Sequence, residues 1–236
     1  TRFLARGRSW KGVVREIVLS RAYRQASTFD DESFRRDPDN RMLWRANKRR
    51  LDAEAIRDGM LFVSGDLDVS RPESSLIATI GERPVSLLAF SKAVPSDLDG
   101  SRRRSVYLPV VRDRLPDVLE LFDFAEPSLV TGARETTNTP LQALYLMNSE
   151  FVRLRSRSLA DRVCKQFRGR PERIRQAFWL CFSRPPDDQE VMFAERFLDT
   201  FPRDGENETN QEAADRKAFA AYCQSLLATV EFRAVD

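Results

Sequence analysis

The chain is 236 residues long, enough for one large domain or two small ones with a real buried core. It carries 39 basic and 36 acidic residues, a net +3, which argues against a dedicated nucleic-acid binder whose affinity comes from surplus positive charge. It has no histidine. That excludes the Ser-His-Asp triad, any His general base, His-ligated zinc and haem attachment through Cys-x-x-Cys-His.

Hydrophobic residues make up 42 % and charged residues 32 %, as in ordinary globular proteins. No apolar run approaches the roughly eighteen residues of a membrane span, and no signal peptide is visible at Thr1. The chain does not begin with Met, so a processed chain or an excerpt from a longer one is expected. Only five basic residues are Lys (Lys11, Lys48, Lys92, Lys165 and Lys217), leaving 39 − 5 = 34 Arg. G+C-rich coding accounts for that bias without a site. Cys164, Cys181 and Cys223 lie far apart in helical, apolar contexts. They read as small buried hydrophobes and point to no redox compartment.

In chain order, Ser9 caps a helix carrying Trp10, Val13, Val14, Ile17 and Val18. The cluster Asp37-Pro38-Asp39-Asn40 is a turn and a helix start, with a helix expected from Arg41 to Ser64, broken near Leu51. Its second half shows a stripe of Ala53, Ile56, Met60 and Val63, stopped by Gly65. The run Arg45, Lys48, Arg49 and Arg50 reads as a solvated helix face paired with acids such as Glu54 and Asp58. Pro72 opens a short helix through Ile80, and Pro84 to Phe90 is an apolar run of either type. Residues 91–104 hold the candidate for an internal boundary in an otherwise single domain spanning 1–236.

Ser105 to Val111 is β-branched, aromatic and short, and predicts a strand. Pro116 begins a helix with Val118, Leu119, Leu121 and Phe122. Thr139 caps and Pro140 opens a helix through Met147, and Ser149 caps the next, from Glu150 to about Phe167. Helices follow on the stripes Ile174, Ala177, Phe178, Cys181, then Val191, Ala194, Leu198, then Phe219, Tyr222, Cys223, Leu226, Leu227. The fold class is therefore mainly α: a multi-helix domain with one or two short strands around Ser105–Val111.

The polar stretch Thr131 to Thr139 between two apolar runs is the best candidate site. Arg134, Glu135, Thr136 and Thr137, with Gln142 and Asn148 on or beyond the next helix, suit recognition of a polar ligand such as a polysaccharide or peptide. Arg112 and Asp113 follow directly after the adjoining expected strand. Structure alone also explains the stretch, with Thr139 as a cap and Arg134 and Glu135 in an internal ion pair. The carboxylates Asp113, Asp117, Glu120, Asp123 and Glu126 fit a solvated face and nothing like a calcium loop.

The run RSVYLPVVRDRLPDVLELFDF followed by PSLVTGARETTNTPLQALYLMNSEFV closely resembles the planctomycete-specific C-terminal domain of unknown function (PSD type). The likeness extends to IVLSRAYRQAS, DPDNRMLWRANKRRLDAEAIRDGML, SRPPDDQE and CQSLLATVEFRAVD, so it covers nearly the whole chain. One departure is Ala228-Thr229-Val230 before Glu231-Phe232, where the family has Asn-Ser. The resemblance implies an exported or cell-surface location and a long multidomain protein. It also implies companion cytochrome c-type domains, with any haem held in an N-terminal part and none in this chain.

Three functions stay open at this stage. The first is a binding or interaction module. The second is a carboxylate-based hydrolase of polysaccharide-type substrates using Glu135 with Asp113, whose carboxyls must face each other at roughly 5–10 Å. The third is a docking domain for an electron-transfer domain of the same polypeptide. No metal, nucleic-acid partner or membrane span is expected.

Overall fold

A computed structural model describes residues 2–5, 7–74, 98–110, 115–202 and 211–235, apart from the side chains of Arg2 and Gln211. The chain divides into two compact units, 1–50 with 234–236, and 51–233.

In the first unit, α1 (Arg2–Ala5) leads into α2 (Trp10–Val18), where the Ser9 hydroxyl accepts from the Gly12 N–H at 3.2 Å, as expected of the cap. No residue of α2 is buried. Asp30 caps α3 (Asp31–Arg36). The helix expected from Arg41 does not form there. The Asp37 carboxylate captures the backbone N–H groups of Arg41 (3.0 Å) and Met42 (2.7 Å). Asn40, in the left-handed region at φ 54°, donates to the Arg45 carbonyl and the Asn47 side chain. Side chains thus supply the bonds a helix would have made, and the segment becomes a series of turns. Arg45 leaves the expected helix face and lies over the rings of Phe29 (5.2 Å) and Trp44 (4.8 Å). Arg49 and Arg50 form β1, paired antiparallel with β2 (Ala234–Val235).

The second unit is a helical assembly: α4 (Ala53–Ser64), α5 (Asp117–Leu121), α6 (Pro140–Asn148), α7 (Glu150–Gln166), α8 (Arg170–Phe182), α9 (Asp188–Thr200) and α10 (Gln211–Ala228). The molecule is thus mainly α, with one two-residue strand pair among the described residues. The long helix α7 is the hub. It packs most extensively on α10 and also contacts α4, α6 and α8. Its Val152, Leu159 and Val163 are wholly buried, alongside Ile56 and Met60 of α4, Ile174 of α8 and Leu227 of α10. Gly65 at φ 80° ends α4, because a left-handed residue there lets its N–H close the last turn. Ser149 sits at the N-cap of α7, but its side chain makes no capping bond.

The strand expected at Ser105–Val111 is absent from its described part: Ser105–Tyr107 is a 3-10 turn, and residues 111–114 lie outside the described residues. The cause is upstream. Asp58 on α4 accepts from both the N–H and the hydroxyl of Ser105, each at 2.7 Å, and so curls the backbone. The Arg57 side chain is completely buried. Its guanidinium donates to the carbonyls of Arg103 (3.0 Å), Ser101 (2.5 Å) and Leu98 (3.4 Å) and to the Ser105 hydroxyl (3.3 Å). A buried arginine is costly unless its donors are met, and here the loop 98–105 wraps around it to meet them. The expected elements at 72–80 and 84–90 fall wholly or largely outside the described residues, as do 91–97 of the expected boundary.

Candidate functional site

The polar stretch hangs from the end of α5. Asp123 sits in the left-handed region at φ 65°, which turns the chain sharply out of the helix. Its carboxylate accepts from the Thr137 N–H (2.9 Å) and the Thr137 hydroxyl (2.7 Å), closing the neck of the loop. Gln142 is wholly buried. Its amide donates to the Leu121 carbonyl (2.8 Å) and to the Thr137 oxygen (3.2 Å). Thr139 and Gln142 also form a reciprocal capping box at the start of α6, where Pro140 occupies the first turn. Thr137 and Gln142 are therefore employed in holding the loop together.

Arg134 reaches across to α4. Its guanidinium binds Glu54 with two parallel hydrogen bonds, 2.6 and 2.9 Å, and lies 5.0 Å from the Phe124 ring centre. The fork-to-carboxylate geometry and the ring beneath fix its direction. Burial alone would raise the Glu54 carboxyl, but the hydrogen bonds and charge of Arg134 outweigh it and bring the carboxyl below its ordinary range. The same Glu54 bonds hold the Arg134 guanidinium more firmly protonated. Its partner is thus Glu54, eighty residues upstream, where the sequence suggested neighbouring Glu135.

This pair forms one wall of a cleft of about 490 Å³, a volume typical of ligand sites. The cleft is lined by Asp52, Glu54 and Asp58 at the start of α4 and by Arg104 to Leu108, Pro109 and Val110, Tyr107 excepted. Leu119, Phe124 and Arg134 complete it. Asp58 is 3.8 Å from the Arg104 guanidinium and is already an acceptor for Ser105. Asp52 is exposed at the N-cap of α4, and its side chain makes no capping bond. The cleft therefore has an aliphatic floor and charged rims, with Asp52 as the carboxylate least committed to neighbours.

Of the sequence candidates, Arg134 lines this cleft. Glu135 and Thr136 are exposed on the loop outside it, and Asn148 is exposed at the end of α6. Arg112 and Asp113 lie outside the described residues. The α4 carboxylates and Arg104 escaped the sequence reading. Their one visible signal was the spacing of Glu54 and Asp58 on the polar side of the Ile56–Met60 stripe. Among the described residues no three Cys, Asp or Glu side chains converge as a metal ion would require, and no helix is long and apolar enough to cross a membrane.

Neither the curated proteins nor the solved structures contain a match to this chain. A family profile described as PSD1, protein of unknown function (DUF1553), matches residues 1–198. That match spans most of the chain and includes the loop, the cleft and the hub helix, so the chain belongs to the PSD1 (DUF1553) family.

Proposed function

We propose that the second unit is a binding module and that its cleft takes an extended peptide segment with alternating apolar and basic side chains. The observation that carries this reading is the lining itself. Val106, Leu108, Pro109 and Leu119 offer an aliphatic surface, while Glu54 is matched by Arg134 and Asp58 by Ser105 and Arg104. Asp52 is left as the rim acceptor for a cationic partner group. The resemblance to domains of long exported proteins supports a setting in which such a peptide belongs to another part of the same polypeptide. Hydrolysis gains no support from the geometry, since Glu135 stands outside the cleft and Asp113 outside the described residues.

The test is calorimetric titration with the acetylated, amidated tetrapeptides LKVL and LEVL and with cellotetraose. LKVL should bind, LEVL should bind at least about tenfold more weakly, and D52N should remove most of that preference. Asn caps a helix as well as Asp, so D52N should keep its fold. Binding of cellotetraose alone, or of none of the three, overturns the peptide reading.

A further inference from the structure

Residues 1–24 hold seven basic residues and one acidic residue, Glu16. That is a net +6 in a chain whose total is +3, so residues 25–236 carry −3. The surplus surrounds α2. Arg8 precedes the helix, Lys11 and Arg15 lie on it, and Arg21 and Arg24 follow it, all of them exposed. Lys11 and Arg15 make no ion pair among the described residues.

On the same helix Trp10, Val13, Val14, Ile17 and Val18 recur at helical spacing as one apolar stripe. Such a stripe ordinarily faces a core, yet no residue of α2 is buried. Trp10 is 75 % exposed, Val14 55 % and Ile17 52 %. Trp10, Val14, Val18 and Leu19 form a shallow apolar surface that Lys11 and Arg15 share. Phe3 of α1 packs on Trp10 with ring centres 5.0 Å apart. An exposed apolar patch of this kind marks an interaction surface.

The charges narrow what covers it. A single acidic group would match one or two of the cations. The five exposed cations instead run from before the helix to beyond it, and an extended anionic plane with apolar material beneath it meets them all. A bilayer with anionic headgroups has that layering. Aliphatic side chains enter the acyl boundary, Trp sits at headgroup level, and Lys and Arg extend apolar stems towards the phosphates. Nine residues are too few to cross the hydrocarbon, so such a helix lies along the surface.

We infer that α2 is an amphipathic anchor that lays Trp10, Val14, Ile17 and Val18 into the surface of an anionic lipid bilayer, held there by Lys11 and Arg15. The inference concerns the first unit and requires nothing of the peptide cleft in the second.

Flotation of the full chain with vesicles of phosphatidylcholine, alone or with about 30 % phosphatidylglycerol, tests it. The chain should bind the anionic vesicles at least about tenfold more tightly than the neutral ones. K11Q/R15Q should weaken that binding about tenfold or more, since each cation near an anionic surface contributes roughly a factor of five. V14Q/I17Q alters two exposed positions, so its melting temperature should match the wild type, while its binding falls at least about tenfold. Brominated acyl chains should quench the emission of the wild type more than that of W10F, which reads insertion of Trp10 itself. No flotation at about 1 mM anionic lipid, unchanged flotation of either double variant, or equal quenching of wild type and W10F overturns the inference. So does a dimer in sedimentation velocity that V14Q/I17Q dissolves without any vesicle binding, which would make the face a contact between copies of this chain.

Discussion

Replacing Arg57 with Met keeps an unbranched apolar stem and removes the guanidinium with its buried charge. Four donor contacts disappear. Two are close and point at carbonyls, Arg103 at 3.0 Å and Ser101 at 2.5 Å. Hydrogen bonds from a charged group contribute roughly 1.5–3 kcal/mol each, so these two account for about 3–6 kcal/mol. Releasing the cost of burying the guanidinium offsets part of that. The longer contacts to Leu98 and the Ser105 hydroxyl add little. The net loss should be about 3 kcal/mol, a melting-temperature drop of roughly 10 °C for a domain of this size. Denaturant titration reads the global loss, and hydrogen exchange reads its location. Protection should fall first in the peptide covering 98–105, because that loop is wrapped on the guanidinium, while α7 and α10 stay protected until global unfolding. A stability loss under about 1 kcal/mol, with the 98–105 amides still protected, would refute the claim that Arg57 organises the cleft rim.

Other consequences follow from the same contacts. Glu54 is held below its ordinary range when folded, so its contribution is present above the unfolded value of about 4.5 and is lost as pH falls through the folded one. Wild-type stability should therefore drop more steeply than that of E54Q below about pH 4.5, as measured by denaturation at pH 6 and pH 3, and parallel curves would contradict it. Tyr222 is 5 % exposed and its hydroxyl has no hydrogen-bond partner among the described residues, so Y222F should be neutral or stabilising by up to about 1 kcal/mol; a clear loss in the melting curve would contradict this. Cys223 is fully buried and burial pushes its thiol well up, so thiol reagent at pH 8 should leave it unmodified until the chain unfolds. R184A, which removes bonds to Glu190 and Glu231 and stacking on Phe178 and Phe182, should cost about 1–2 kcal/mol, less in high salt.

The elements that sequence foretold are those whose signals are local. Ser9 before Trp10, Thr139 before Pro140, and Gly65 after the Ile56–Met60 stripe each specify a helix end from within a few residues. The expectations that failed were overridden from elsewhere in the chain. Ser105–Tyr107 has strand composition, yet Asp58, forty-seven residues upstream, bends it. Arg41 to Lys48 has helical composition, yet Asp37 and Asn40 take its backbone bonds. The site divides in the same way. The Thr131–Thr139 loop was visible as an anomaly of composition. Its partners Glu54 and Asp123 were not, because pairing across eighty and fourteen residues leaves no periodicity to read.

The central claim is that Arg134 is the loop residue that bounds the cleft and that the cleft, rather than the rest of the loop, meets the ligand. Chemical-shift mapping of the labelled chain with the acetylated, amidated LKVL peptide tests it most directly. The account predicts shifts confined to the cleft lining, from Asp52, Glu54, Ala55 and Asp58 through Arg104 to Val110 (Tyr107 excepted) to Leu119, Phe124 and Arg134, with Glu135, Thr136 and Asn148 unmoved. Shifts centred on Glu135, Thr136 and Asn148, or none at saturating peptide, would contradict it.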